Sequence, residues 1–286
     1  MISVAHSPDA DDIFMYYAIA FGWVDSRFGL KFYNTALDIQ TLNEAALQGD
    51  YDVSAISFGV YPLIAQNYAL LRTGVSFGSG YGPKLIKLKG KQLKSHCKVA
   101  LSGAHTTNAL LFRIAYPNAK IVYKNFLDIE SAVLNGEVDA GVLIHESILT
   151  FSDQLEVERE IWDIWCELAG DELPLPLGGM ALRRSIPLLR AVDIEDTLTR
   201  AVQIATQNKP LLSTMLLDRN LIRVNAKELD TYLNLYANAD SISLSSVQKQ
   251  AIDTLFSLLY KAGFYPRTLC CEEFLLPREY AELRDS

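Results

Sequence analysis

A histidine, a carboxylate and a hydroxyl, His145, Glu146 and Ser147, follow directly on the apolar run AGVLI at 140–144. Ordinary surface turns favour Gly, Asn, Asp and Pro, so this ending asks for a chemical reason. Imidazole titrates near neutral pH and suits general acid–base work when a strand delivers it to a cleft. The same position suits a structural histidine bonded to backbone, and spacing alone leaves both open. Glu146 can orient the imidazole, or strand alternation can turn it toward solvent or a lysine.

Three other constellations carry chemistry. In SGAHTTNALL, Thr106 and Thr107 stand where a helix begins. First-turn amides, the positive end of a helix dipole and two hydroxyls make a seat for a carboxylate or phosphate, although simple capping needs only one threonine. In SPDADDIF, Asp9, Asp11 and Asp12 lie beside His6 and Ser7. Their spacing matches no standard metal loop, so helix capping is favoured over a cation site and no metal is expected. Ser57 ends the strand DVSAIS and is expected at a cleft edge. No G-x-S-x-G elbow surrounds Ser54 or Ser57, which argues against a serine hydrolase. Further cleft-lining positions are expected at Ser7, Asp9, Asp12, Gly82 and Pro176. The glycine-rich FGSGYGP at 77–83 lacks the Lys-Ser or Lys-Thr of a P-loop and reads as a hinge.

These residues need elements to hold them. LQGDYDVSAIS at 47–57 and LNGEVDAGVLI at 134–144 share Leu-x-Gly-x-x-Asp before a small, apolar run. Each reads as a helix end, a glycine in the left-handed position, a short turn and a buried strand of parallel type. Upstream, ISVAHSPDADDIFMYYAIA and CKVALSGAHTTNALLFRIA both read strand, polar loop, helix. Two β-α-β-α-β halves predict an α/β chain of two lobes with a ligand cleft between them. The first lobe is expected to comprise residues 1–89 and about 186–286, and the second 90–185. Strands are expected at 2–6, 29–34, 52–57, 69–77 and 83–88, then at 98–102, 120–124, 139–144, 155–159 and 176–183. After Arg184 helices are expected at 186–207, 209–217, 226–236 and 245–262, packing on the first lobe with a terminal segment touching the second.

Composition narrows the function classes. The chain has 286 residues, 50% of them hydrophobic, enough for two lobes of about 100–150 residues each. A net charge of −8 supplies no basic footprint for nucleic acid. The lysines of KLIKLKGKQLK at 84–94 read as the solvent side of an edge strand. No window reaches the length of a membrane span. The opening MISVAHS reads as a strand without a secretory leader, so a cytoplasmic location is expected. Cys97, Cys166, Cys270 and Cys271 form no C-x-x-C, which argues against structural zinc and a disulfide framework.

Taken in order, SPDADDIF, TLNEAAL, ISFGVY, GYGP, HTTNALL, NGEVDAGVLIHES and LPLPLGG resemble the 1,4-dihydroxy-6-naphthoate synthase family of the futalosine route to menaquinone. The resemblance covers nearly the whole chain. It implies a fold like the type II periplasmic binding proteins, and cleavage of cyclic dehypoxanthine futalosine to dihydroxynaphthoate and a three-carbon sugar fragment. It implies His145 as general base, with substrate contacts at Ala55, Ile56, Ser57, Thr106 and Thr107, and no cofactor. The partner is then a small molecule bearing an aromatic carboxylate. Asp9, Ala10, Asp11 and Ile13 depart from the family's usual opening, which leaves room for an altered substrate. Rival readings are a non-catalytic solute receptor and the sister enzyme chorismate dehydratase.

Overall fold

The structure, a computed structural model, describes residues 1–278. The chain runs β1 (Ile2–His6), α1 (Ala10–Ala20), β2 (Phe32–Ala36), α2 (Ile39–Gln48), β3 (Val53–Ser57), α3 (Tyr61–Ile64), β4 (Tyr68–Leu70) and β5 (Ser76–Gly78). It continues with β6 (Lys84–Leu88), β7 (Lys98–Leu101), α4 (Thr107–Ala115), β8 (Lys120–Tyr123), α5 (Ile129–Leu134), β9 (Ala140–Leu143), β10 (Leu155–Glu160) and α6 (Ile161–Ala169). β11 (Leu175–Arg183) is followed by helices α7 (Leu188–Gln207), α8 (Lys209–Asp218), α9 (Ala226–Tyr236), α10 (Ser246–Lys261) and α11 (Cys271–Phe274).

Two sheets share one plan. The first is ordered β2-β1-β3-β11-β4, with β5 also on β11, and the second β8-β7-β9-β6-β10. In each, three parallel strands of a β-α-β-α-β unit are extended by an antiparallel fourth, β11 or β6. The two Leu-x-Gly-x-x-Asp segments do the same work in both. Gly49 (φ 76°) and Gly136 (φ 71°) take the left-handed conformation that ends α2 and α5, a region that a Cβ disfavours. Asp52 then accepts the Ser3 N–H at 2.9 Å, and Asp139 accepts the Lys98 N–H at 2.8 Å. Each aspartate therefore pins the adjoining parallel strand and sets its register.

Several elements differ from expectation. The strand expected at 69–77 is two strands, because Gly74 (φ 67°) turns the chain between β4 and β5. β2 lies a few residues later than 29–34. The lysine-bearing β6 is not an edge strand. It runs between β10 and β9, with Leu85 and Ile86 fully buried and Lys87 paired to Glu156 and Glu158 of β10. Although residues 84–88 were expected in the first lobe, β6 pairs in the second sheet, and β11, expected in the second lobe, pairs in the first. The chain crosses between sheets at 79–83 and again at 170–174. A strand's residues do not name its partner, so the local pattern could not set these crossings. In the tail, α7, α8 and α9 pack on α1, whereas α10 lies on β11 and reaches α6 of the second sheet.

Candidate active site

The carboxyl ends of β1, β3, β7 and β9 converge on a cavity between the two sheets, the usual place for a small-molecule site in such folds. Ser7, Asp9, Asp12, Ala55, Ile56, Ser57, Thr106, Thr107 and His145 all line it. Gly82 and Pro176 do not; their neighbours Pro83 and Leu177 do.

His145 leaves β9 through a left-handed backbone, φ 55°, after an extended Ile144. That conformation is uncommon and costly for a residue with a Cβ, and it ends the strand in a 3-10 turn at His145–Ile148. The turn points the ring at α1. Nδ1 lies 2.5 Å from Asp9 Oδ2, and the ring edge meets Phe126 at 4.8 Å between centroids. Nε2 is buried and makes no hydrogen bond among the described residues, and His145 lines the cavity. The geometry is that of an imidazole held through one nitrogen by a carboxylate, leaving the other to act.

The electrostatics follow from burial and proximity. Burial disfavours the His145 charge, but the Asp9 carboxylate outweighs it and raises the imidazole above its usual 6.5. Burial likewise works against the Asp9 charge, yet the His145 imidazolium holds that carboxyl below the usual range. Asp11 behaves oppositely: burial and the Asp9 charge push its carboxyl well up. Asp12 is pushed up to about 8, chiefly by burial and then by Asp9. Adjacent carboxyls with separated affinities divide ionised from protonated roles.

The capping reading of these acids is corrected by the structure. Asp9 occupies the N-cap position of α1 but makes no side-chain cap bond, because its carboxylate is turned to His145. Asp12 reaches back to the Ser7 N–H at 2.7 Å. Glu146, expected at solvent or a lysine, is 8% exposed and accepts the Ala10 N–H at 2.7 Å. Strand alternation does not apply to it, because His145 has already left the strand. Among the described residues, no group of three or more His, Cys, Asp or Glu is arranged to hold a metal ion.

Asp12 has a testable consequence for stability. Its folded value of about 8 lies above the ordinary 3.8, the reverse of the common carboxylate case. The folded protein binds the extra proton, so stability is lost as pH rises from 3.8 toward about 8. Asn keeps the acceptor for the Ser7 N–H and removes the charge. After discounting for its partial exposure, Asp12→Asn is expected to raise Tm by roughly 5–10 °C at pH 8 and by little at pH 4. Thermal melts at both pH values check this; an equal gain at both would contradict it.

The threonine pair divides its labour. Thr106 is the N-cap of α4 and accepts the Ala109 N–H. The Thr107 hydroxyl donates to Leu177 O at 3.0 Å and accepts the Gly59 N–H at 3.1 Å. It therefore ties α4 of the second sheet to two segments of the first. Thr107→Val leaves an amide and a carbonyl unpaired and is expected to cost about 1–3 kcal/mol of unfolding free energy. Chemical denaturation measures this; a loss under about 0.5 kcal/mol means that water replaces both partners. With both hydroxyls engaged, the Thr107 and Asn108 amides remain as first-turn donors without intrahelical partners.

Ser57 is held from behind. Buried Asn43 accepts the Ser57 N–H at 3.0 Å and donates to Ser57 Oγ at 3.1 Å. The serine's own proton is left for another acceptor. Sequence reasoning missed Asn43 as its partner, and also Tyr232 and Tyr236 of α9, which line the cavity. Their i, i+4 spacing puts both rings on one helix face, but an apolar face does not announce which cavity it covers.

Comparison with known proteins agrees with this architecture. A family model described as menaquinone biosynthesis matches residues 2–261. The chain is 30% identical over 266 residues to a Thermus thermophilus protein named 1,4-dihydroxy-6-naphthoate synthase, covering 90% of this chain and 93% of that one. It is 29% identical to a Streptomyces coelicolor protein of the same name, over 93% of this chain and 95% of the other. A crystal structure of an Archaeoglobus fulgidus protein superposes with a TM-score of 0.84 at 32% identity, covering 92% of this chain and 98% of that one. The alkanesulfonate-binding protein of Xanthomonas axonopodis pv. citri, bound to MOPS, reaches 0.70 at 14% identity over 96% and 97%. That likeness concerns the fold: a two-lobed α/β architecture of the periplasmic-binding-protein type.

Proposed function

The chain belongs to the menaquinone biosynthesis family, and on that premise we propose that it is a 1,4-dihydroxy-6-naphthoate synthase. It cleaves cyclic dehypoxanthine futalosine to 1,4-dihydroxy-6-naphthoate and a three-carbon fragment, with His145 as general base. One observation carries the reading: at His145, which lines the cavity, Nδ1 is held by Asp9 while Nε2 has no partner among the described residues. Nε2 takes a proton from the substrate, and Asp9 stabilises the imidazolium that forms. Aromatisation of the second ring then favours release of the fragment. The reaction needs no redox cofactor. We place it in the cytoplasm; among the described residues no helix is long and apolar enough to cross a membrane.

The substrate's orientation follows from charge. No lysine or arginine lines the cavity among the described residues, so an aromatic carboxylate must find amides and hydroxyls. The start of α1 is surrounded by Asp9, Asp11 and Asp12 and is occupied by the Glu146 carboxylate. The first turn of α4 carries no acid and presents the Thr107 and Asn108 amides, an anion seat. The carboxylate lies there, near Ser57, and the sugar-derived hydroxyls face the acids of α1. We propose too that the lobes follow strand pairing, dividing near 79–83 and 170–174.

Incubation of the purified chain with cyclic dehypoxanthine futalosine, followed by mass detection of both products, tests this function. Appearance of 1,4-dihydroxy-6-naphthoate is the expected result. Tight binding without turnover would favour a receptor, and dehydration of chorismate instead would favour the sister enzyme.

A further inference from the structure

We infer that Glu146 is a positioning residue for the Asp9–His145 pair: by holding the Ala10 N–H from across the cleft it seats His145 against Asp9. The inference rests on the reading of His145 as the acting base.

Two tasks compete for one carboxylate at Asp9. It is the N-cap residue of α1, with extended backbone at φ −78° and ψ 163°. An aspartate there ordinarily accepts first-turn amides of its own helix. Asp9 does not; its carboxylate binds His145 Nδ1 instead. The amide of Ala10, the first helical residue, is taken by Glu146 Oε1 at 2.7 Å. Consecutive residues on one side, His145 and Glu146, thus grip consecutive residues on the other, Asp9 and Ala10. The left-handed φ of 55° at His145 lets neighbouring side chains aim at one target.

Glu146 is itself braced. Its Oε2 lies 3.5 Å from an Arg223 nitrogen. Arg223 sits 5.2 Å over the Phe126 ring, and Phe126 meets the His145 ring edge-on at 4.8 Å. His145, Phe126, Arg223 and Glu146 therefore close a ring of contacts behind the imidazole. Without this second tie between the His145 turn and the start of α1, the imidazole is no longer held in register with Asp9. The proposal concerns acceptor geometry and reach, not the negative charge of Glu146.

Two substitutions separate these. Glu146→Asp keeps the charge but is one carbon short of the Ala10 N–H. Glu146→Gln keeps the reach and an acceptor oxygen and removes the charge. The expected result is a loss of about 10–100-fold in kcat for Glu146→Asp with KM little changed, as for a misaligned catalytic group. Its kcat–pH inflection should move to lower pH, because the imidazole loses the Asp9 carboxylate. Besides Asp9 and Glu146, the charged group acting on the imidazole is Asp12 on α1, which is unchanged in both variants. Glu146→Gln should recover most of the lost turnover, with its inflection between those of the Asp variant and the unsubstituted protein, because the Glu146 charge also helps to raise the imidazole. A Gln variant as impaired as the Asp variant would overturn the inference, as would an Asp variant with normal kcat and pH profile. Should Glu146→Asp fail to fold, the Gln variant alone decides: a kcat loss above about tenfold overturns it. If the unsubstituted protein makes no product, the proposed function fails. If it turns over and the variants rank wrongly, only this inference fails.

Discussion

His145→Ala is expected to lower turnover of cyclic dehypoxanthine futalosine by about 10²–10⁴-fold, the usual contribution of a general base. Substrate affinity should change little, because the proposed anion seat lies at α4, on Thr107 and Asn108, and not on the imidazole. The fold should also survive. His145 holds a left-handed φ of 55°, and alanine removes the ion pair but not the turn's backbone bond from the Leu149 N–H to Glu146 O at 3.0 Å. Steady-state kinetics with a binding titration separate the effects. A kcat loss of no more than about threefold would remove His145 from the base role.

Asp9→Asn is the second large effect. The carboxylate fixes which imidazole nitrogen carries the proton and stabilises the charged ring. Removing that carboxylate in comparable pairs costs up to about 10⁴-fold in kcat, and at least a tenfold loss is expected here. Direction in pH is the sharper test. Asp9 raises His145 above 6.5, so the asparagine variant should show its kcat inflection at lower pH than the unsubstituted protein. Stability follows the same linkage. The raised His145 contributes stability that is present below 6.5 and lost as pH rises through its folded value. The depressed Asp9 contributes stability present above 3.8 and lost as pH falls through its folded value. Asp9→Asn should therefore cost most between about pH 4 and 6.5. An unchanged inflection and a pH-independent stability loss would mean that the pair is not formed in solution.

Much of the architecture was legible because both halves spell the same local physics. The glycine that ends α2 and the one that ends α5 are left-handed, and Asp52 and Asp139 follow each at the same spacing. Such signals lie within a dozen residues and need no tertiary knowledge. The crossing of β6 and β11 between sheets was not legible, since antiparallel pairing of a short apolar strand leaves no local mark. The site divided along the same line. Single positions at strand ends and helix starts, Ser57, Thr107 and His145, could be placed from their elements. Their partners could not. Asp9 and His145 stand 136 positions apart in the numbering, the same separation as Ala10 and Glu146. The alternation that sent Glu146 toward solvent failed at the one residue whose backbone leaves the strand. Asp9 had a local explanation as a cap, and only the structure reveals that its carboxylate is turned to His145 instead.

The most direct test is a crystal structure of the His145→Ala variant with uncleaved cyclic dehypoxanthine futalosine. The substrate carboxylate is expected on the Thr107 and Asn108 amides at the start of α4, with the hydroxyls toward Asp9 and Asp11 and a space beside the reacting carbons where Nε2 would stand. A carboxylate seated beside Asp9 or Asp11, with the reacting carbons turned away from position 145, would contradict it.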